Sequence, residues 1–227
     1  MLGTDNKESK VIILENEWIG NKTSVFTTIG AGGLGTCDRA AGDFYATNPR
    51  AIDALENAGK LPNCKNVWEC AAGKGDLSEA LAKRGYEVVS TDLYDRGYCR
   101  GGTDFLKTTE LLAPCILTNP PYRHVTEFCI HAIELGAEEI YMFMKLQFLE
   151  GKRRYGELYS KYPPAEVLQF VERMSAARNG DRAMFDKSGA VAFCWMVWRN
   201  GFMGSPAISW ISTCSSVINN HEEGGYD

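Results

Sequence analysis

The run Asn119-Pro120-Pro121-Tyr122 carries the residue types with the most chemistry in this chain, and the chemistry is that of holding a flat amine. The Asn119 carboxamide oxygen and the Pro120 carbonyl oxygen both accept hydrogen bonds, and proline has no N–H to compete for the incoming group. Two acceptors at a fixed angle suit an –NH2 group. They can bend a conjugated amine toward a pyramidal shape, so that its lone pair points at an electrophile. Tyr122 can stack on the flat system bearing that amine, worth roughly 1–3 kcal/mol if it is a nucleobase. The plainer reading is a proline-rich turn that starts the next helix.

Three upstream clusters could build a pocket beside that corner. Ala71-Ala72-Gly73-Lys74-Gly75-Asp76 is a small-residue loop between a strand and a helix, where a ligand can approach backbone and the helix start favours a carboxylate or phosphate. Glu69 at the strand's end would repel a pyrophosphate and suit an ammonium. Asp92, 17 residues after Gly75, ends the next strand and is placed to accept both hydroxyls of a ribose. Asp104-Phe105 sets a carboxylate beside an aromatic ring: Asp104 could accept from an adenine amine while Phe105 packs on the ring, or Asp104 could cap a helix over residues 106–112. Tyr45 and Thr47 stand just ahead of a helix that Asn48 caps and Pro49 opens.

The elements that must position these residues alternate. Strands are expected at 67–70, 86–91, 115–117 and 139–144, with the glycine-rich approach at 101–106 as a further one and helices between them. That rhythm predicts a doubly wound, mostly parallel α/β sheet, with the polar loops at the carboxyl ends of its strands. Residues 145–187 break the rhythm and hold a short strand at 167–171. Val191 to Trp198 is apolar throughout and reads as a central strand. The expected organisation is a flexible glycine-rich arm over 1–42, a single domain over 43–212 with a basic insertion at about 145–187, and a flexible tail over 213–227.

Charge and composition narrow the function classes. The 227 residues are 44% apolar with a net charge of −5, enough for a sizeable core and unlike a general polyanion binder. Residues 145–199 nonetheless hold ten Lys/Arg against six Asp/Glu, an excess of +4 that leaves −9 elsewhere. Lys152, Arg153, Arg154, Arg178 and Arg182 fall there, as a phosphate-contacting surface or a solvated face. The eight cysteines include no Cys-x-x-Cys pair, and the three histidines add no ligand spacing, so reduced core thiols and no metal are expected. No apolar run is long enough to span a membrane, and a cytoplasmic location, in a bacterial or phage-infected cell, is expected. Gly30 to Gly35 fits the G-x-G-x-x-G fingerprint, but the apolar helix and later acidic strand end that a dinucleotide site needs are missing from the sequence after it.

In order and spacing, Glu69 to Gly75, Asp92, Asp104-Phe105 and Asn119 to Tyr122 resemble the successive motifs of class I S-adenosylmethionine-dependent amino-methyltransferases. With Asp43 to Thr47, Phe148 to Tyr155 and Trp195 to Trp198, the chain is similar over about residues 40–212 to the small adenine-specific DNA methyltransferases of phages and prophages. Cys70 stands where that family usually has proline, and Asn48 where a second proline is common. The resemblance implies a seven-stranded sheet with its last strand antiparallel, and S-adenosylmethionine as cofactor with S-adenosylhomocysteine as product. It implies that Tyr45, Thr47, Glu69, Ala71 and Gly73 surround the methionine part, Asp92 holds the ribose, and Asp104 and Phe105 hold the adenine. Asn119, Pro120 and Tyr122 would hold the target amine and its ring. The same loop serves enzymes that methylate adenine in RNA or a glutamine amide in protein, and a non-catalytic cofactor-binding regulator is a further alternative. Only 14 residues separate Asp104 from Asn119, too few for a large target-recognition region, so short sequence specificity or a specificity partner is expected.

Overall fold

A computed structural model describes residues 44–178, 180–185 and 191–215. The glycine-rich arm at 1–42 with its G-x-G-x-x-G run, Cys37, and the tail beyond residue 215 lie outside the described residues. In chain order the elements are β1 (Tyr45–Thr47), α1 (Arg50–Asn57), β2 (Asn66–Glu69), α2 (Asp76–Ala82), β3 (Glu87–Ser90), β4 (Cys115–Thr118), α3 (Val125–Glu134), β5 (Glu139–Lys145), β6 (Glu166–Phe170), β7 (Ala176–Arg178), β8 (Phe193–Arg199) and β9 (Ala207–Ile211).

Seven strands form one sheet in the order β3-β2-β4-β5-β8-β6-β9. β3, β2, β4 and β5 are parallel neighbours; β8 runs antiparallel to both β5 and β6, and β9 runs parallel to β6. The apolar run ending at Trp198 is thus central, as expected, and is the sheet's one antiparallel strand, while β9, the last strand in the chain, runs parallel to β6. β4, β5 and β8 read as nearly unbroken apolar runs because both of their faces are covered. On one face α1 and α2 bury Ile52, Leu55, Leu77 and Leu81 against Phe143 and Trp195. On the other, α3 buries Val125, Phe128 and Ala132 against Ile116, Met142 and Trp198. The Trp195 indole N–H donates to the Ala51 carbonyl at 3.1 Å, satisfying the one polar atom of a fully buried ring.

Three features depart from the sequence reading. The stretch 101–104 is not a strand, and a single 3-10 turn at Phe105–Lys107 replaces the helix over 106–112; its glycines give no apolar alternation with which to pair. β9, beyond the expected final strand, fills the sheet's far edge. Within 145–187, β6 is a full member of the sheet, while β7 leaves it to pair with β1 as an antiparallel two-stranded ribbon, with Tyr45 opposite Arg178 and Thr47 opposite Ala176. The basic stretch therefore makes two excursions from the sheet, one on either side of β6.

Strand order reverses at β2, which has β3 on one side and β4 on the other. This switch point opens a crevice at the carboxyl ends of β2 and β4. At the opposite end, Arg199 bonds Glu139 and Glu166 (2.7 Å to the latter) and Lys60 bonds Glu166 at 2.6 Å, tying β5, β8 and β6 together away from the crevice.

Candidate functional site

The crevice is a cavity of about 470 Å³, within the range of cofactor sites. Tyr45, Thr47, Glu69, Ala71, Gly73, Asp92, Asp104, Phe105, Asn119 and Pro120 all line it. Residues from five separate stretches of sequence are thus brought to one place.

The floor is the loop after β2. Gly73 and Gly75 have φ of 59° and 81°, the left-handed region that favours glycine. A Cβ on Gly73 would lie 2.6 Å from the Phe44 ring, so this glycine lets the wall of the cavity close on the loop. Asp92 fastens the loop, because its two carboxylate oxygens accept from the Gly73 and Tyr94 amides, each at 2.8 Å. An ionised carboxylate offers about four acceptor positions, so capacity remains for a ligand's hydroxyls.

Glu69 is only 2% exposed, and burial pushes its carboxyl up to about 8, against the lowering effect of the Ser78 hydroxyl that donates to it. Ser78 lies 2.8 Å from the Ser90 hydroxyl, so the carboxyl is held by a short polar chain. The Asp104 side chain accepts from the Leu106 amide at 3.2 Å, capping the 3-10 turn that stands in place of the expected helix, and the residue lines the cavity. The Phe105 ring is fixed edge-on to Trp68 and His131 and tilted against Phe128.

At the far wall, the Asn119 side-chain N–H2 donates to the Tyr45 carbonyl at 2.8 Å. That bond sets the orientation of the carboxamide. It leaves Oδ1 as a buried acceptor with no partner among the described residues, in a residue that lines the cavity. Tyr122 is not part of the cavity lining. Its ring stacks on Tyr45 (centroids 5.5 Å apart, planes 29° apart), with Phe148 and Phe193 further out and the Lys145 ammonium 5.0 Å from the ring centre. The Asn119 corner therefore separates the cavity from an aromatic cluster.

The basic residues do not form one patch. Arg153 pairs with Glu157 at 2.8 Å, and Arg154 donates to the Phe148 and Glu150 carbonyls, on an exposed helical turn at 152–154 that begins with Lys152. Arg182 instead pairs with Asp76 at 2.8 Å, at the start of α2. Burial raises the Asp76 carboxyl, and Arg182 opposes that. The Arg178 side chain lies outside the described atoms.

Sequence reasoning passed over several cavity residues. Phe44 and Arg96 line it, with the Arg96 guanidinium 4.1 Å from the Phe44 ring centre, and Lys74 reaches the Gly180 carbonyl at 3.3 Å. Phe44 adjoins Tyr45 and could have been included by adjacency. Nothing near Arg96 in the sequence marks it. Among the described residues no cluster of His, Cys, Asp or Glu could hold a metal, and no helix is long and apolar enough to cross a membrane.

The mostly parallel seven-stranded sheet, with one antiparallel strand and helices on both faces, is a doubly wound, Rossmann-like fold. Similar solved structures include a Lactococcus lactis protein assigned as a hemolysin (11% identity, TM-score 0.51, 79% of this chain and 96% of that one). A Pyrococcus horikoshii protein assigned as an RNA methyltransferase gives 15% identity and a TM-score of 0.49 over 67% of this chain and 82% of that one. The Burkholderia thailandensis 1,6-didemethyltoxoflavin-N1-methyltransferase, solved with S-adenosylhomocysteine, gives 13% and 0.42 over 78% and 85%. No family model and no curated protein matches the sequence.

Proposed function

We propose that this protein transfers a methyl group from S-adenosylmethionine to the exocyclic amine of adenine in DNA, with short or low sequence specificity. The observation that carries the reading is the orphaned Asn119 Oδ1, buried at the cavity wall and oriented by the Tyr45 carbonyl. A buried acceptor without a partner is costly, and an –NH2 group is the donor that would satisfy it together with the Pro120 carbonyl.

The cavity's residues fit the cofactor. Asp92 retains acceptor positions for ribose hydroxyls, Asp104 and Phe105 present an acceptor and a ring for adenine, and Glu69, Thr47, Tyr45 and Ala71 surround the space beside the Gly73 loop. Bound there, S-adenosylmethionine would supply an electrophilic methyl group on a cationic sulfur. Asn119 and Pro120 accept from the amine and turn its lone pair toward the cavity, and the same two oxygens stabilise the positive charge that grows on nitrogen. The catalytic contribution of the chain is positioning and electrostatics, with the proton lost to solvent.

Tyr122 supplies the stacking face for the target base, which must part the Tyr122–Tyr45 stack to enter. A base in duplex DNA must also leave the helix, at a few kcal/mol, so single-stranded or mismatched sites are favoured. Lys152, Arg153, Arg154, Arg178 and Arg182 are the phosphate contacts in this reading; a partner protein would add specificity.

The test offers the protein labelled S-adenosylmethionine with DNA, RNA and a protein extract in parallel, followed by nucleoside and peptide mass spectrometry. N6-methyladenine in the DNA arm is expected. Label in RNA adenine or on a glutamine amide keeps the amine site and moves the substrate. No label in any arm, with cofactor bound, contradicts the reading.

A further inference from the structure

We infer that the outer edge of β9 is the contact through which two copies of this chain pair, joining their sheets into one continuous sheet across a two-fold axis. β9 closes the sheet at the end away from β3, and among the described residues nothing pairs with its outer side. Its inner side is fully engaged. The Ala207 amide donates to the Ala165 carbonyl and the Ile211 carbonyl accepts from the Val171 amide, so Ala207, Ser209 and Ile211 direct their backbone groups at β6. Because backbone groups alternate along a strand, the N–H and C=O of Ile208 and Trp210 point outward, an open template for another strand.

The side chains say which kind of strand fits. Ile208 and Trp210 are 61% and 66% exposed, on the sheet face that they share with Val167 and Gln169, and Val171 beside them is exposed as well. Edge strands that stay solitary carry charges, prolines or bulges. β9 reads Ala-Ile-Ser-Trp-Ile, and the chain has no Asp, Glu, Lys or Arg from residue 200 to residue 220. In a chain of net charge −5, this uncharged run is where a second copy meets no like-charge repulsion.

The strand is also complementary to itself. With the two-fold axis at Ser209, antiparallel pairing sets Ile208 of one copy opposite Trp210 of the other, and the reverse. Those are the two residues whose backbone groups are unpaired, so each facing pair exchanges both of its N–H···O bonds, and each apolar side chain covers its counterpart. Residue i meets j and j meets i, the condition for an isologous interface. Both cavities stay open, because β9 and the crevice at β2 and β4 lie at different places along the sheet.

The experiment is light scattering coupled to size exclusion on the full chain over a concentration series, beside Trp210→Lys and Ile208→Pro. Proline removes an outward N–H at an edge position where it is tolerated, and circular dichroism melts control for folding. The wild-type mass should rise from 25.1 kDa toward twice that value with concentration, and both folded variants should stay at the single-chain mass. A wild-type protein that stays monomeric throughout, as when its own segment 1–43 or 216–227 covers the edge, overturns the inference. So does a dimer that both folded variants preserve.

Discussion

Glu69 is the residue whose environment makes the sharpest prediction. Its carboxyl moves from 4.5 to about 8, chiefly through burial, so the ligand-free protein holds it neutral at pH 7. A cationic ligand favours the ionised form, so binding below about pH 8 must expel a proton. Affinity for S-adenosylmethionine should climb with pH, by at most about tenfold per unit, and level off above 8. Calorimetry in buffers of different ionisation enthalpy measures that proton, and Glu69→Gln should abolish the dependence; a pH-independent affinity in the wild type would refute the assignment. The same shift affects folding with a definite sign. An acid raised on folding contributes stability in full below 4.5 and loses it as pH rises to about 8, so the melting temperature of Glu69→Gln relative to wild type should increase across that window. That an acidic residue belonged at this strand end was legible from the sequence. Its protonation was not, because burial of the carboxyl depends on Ser78 and the α2 turn folding over it.

At the scale of elements, β7 and residues 180–185 tie the second excursion of the basic stretch to residues that line the cavity. β7 pairs with β1, Lys74 meets Gly180, and Arg182 meets Asp76. Arg182→Ala should weaken cofactor affinity by about two- to fivefold, the worth of a half-exposed ion pair. If Arg182 serves DNA alone, calorimetry will show unchanged cofactor affinity and only the salt dependence of DNA binding will move. The alternation of apolar runs made β2, β4, β5 and their helices legible, since each is a local pattern of period or length. The β1–β7 ribbon was not, because it joins residues more than a hundred positions apart and both strands are three residues long. β9 escaped notice for a related reason: Ala-Ile-Ser-Trp-Ile is short and sits between Gly/Ser/Pro-rich segments that read as an unstructured end.

For the whole molecule, one sheet carries two ends with different work. The end built from Glu139, Arg199, Glu166 and Lys60 is a closed ionic network that ties strands together. The other end leaves its acceptors, Asp92, Asp104 and Asn119, around a cavity. Motif order in the sequence foretold that Asp92 and Asn119 would meet there, since each follows a parallel strand and parallel strands deliver their following loops to one side, with Asp104 farther along the loop after β3. The stacking of Tyr122 on Tyr45 was beyond that logic, because it depends on where β1 comes to rest. The most direct measurement is single-turnover methyl transfer to adenine-containing DNA by Asn119→Ala, beside its calorimetric affinity for S-adenosylhomocysteine. The chemical step should slow by on the order of 3 kcal/mol, a hundredfold or more, with cofactor affinity nearly unchanged. Turnover equal to wild type would show that the Asn119 oxygen does not hold the amine, and would contradict the account at its centre.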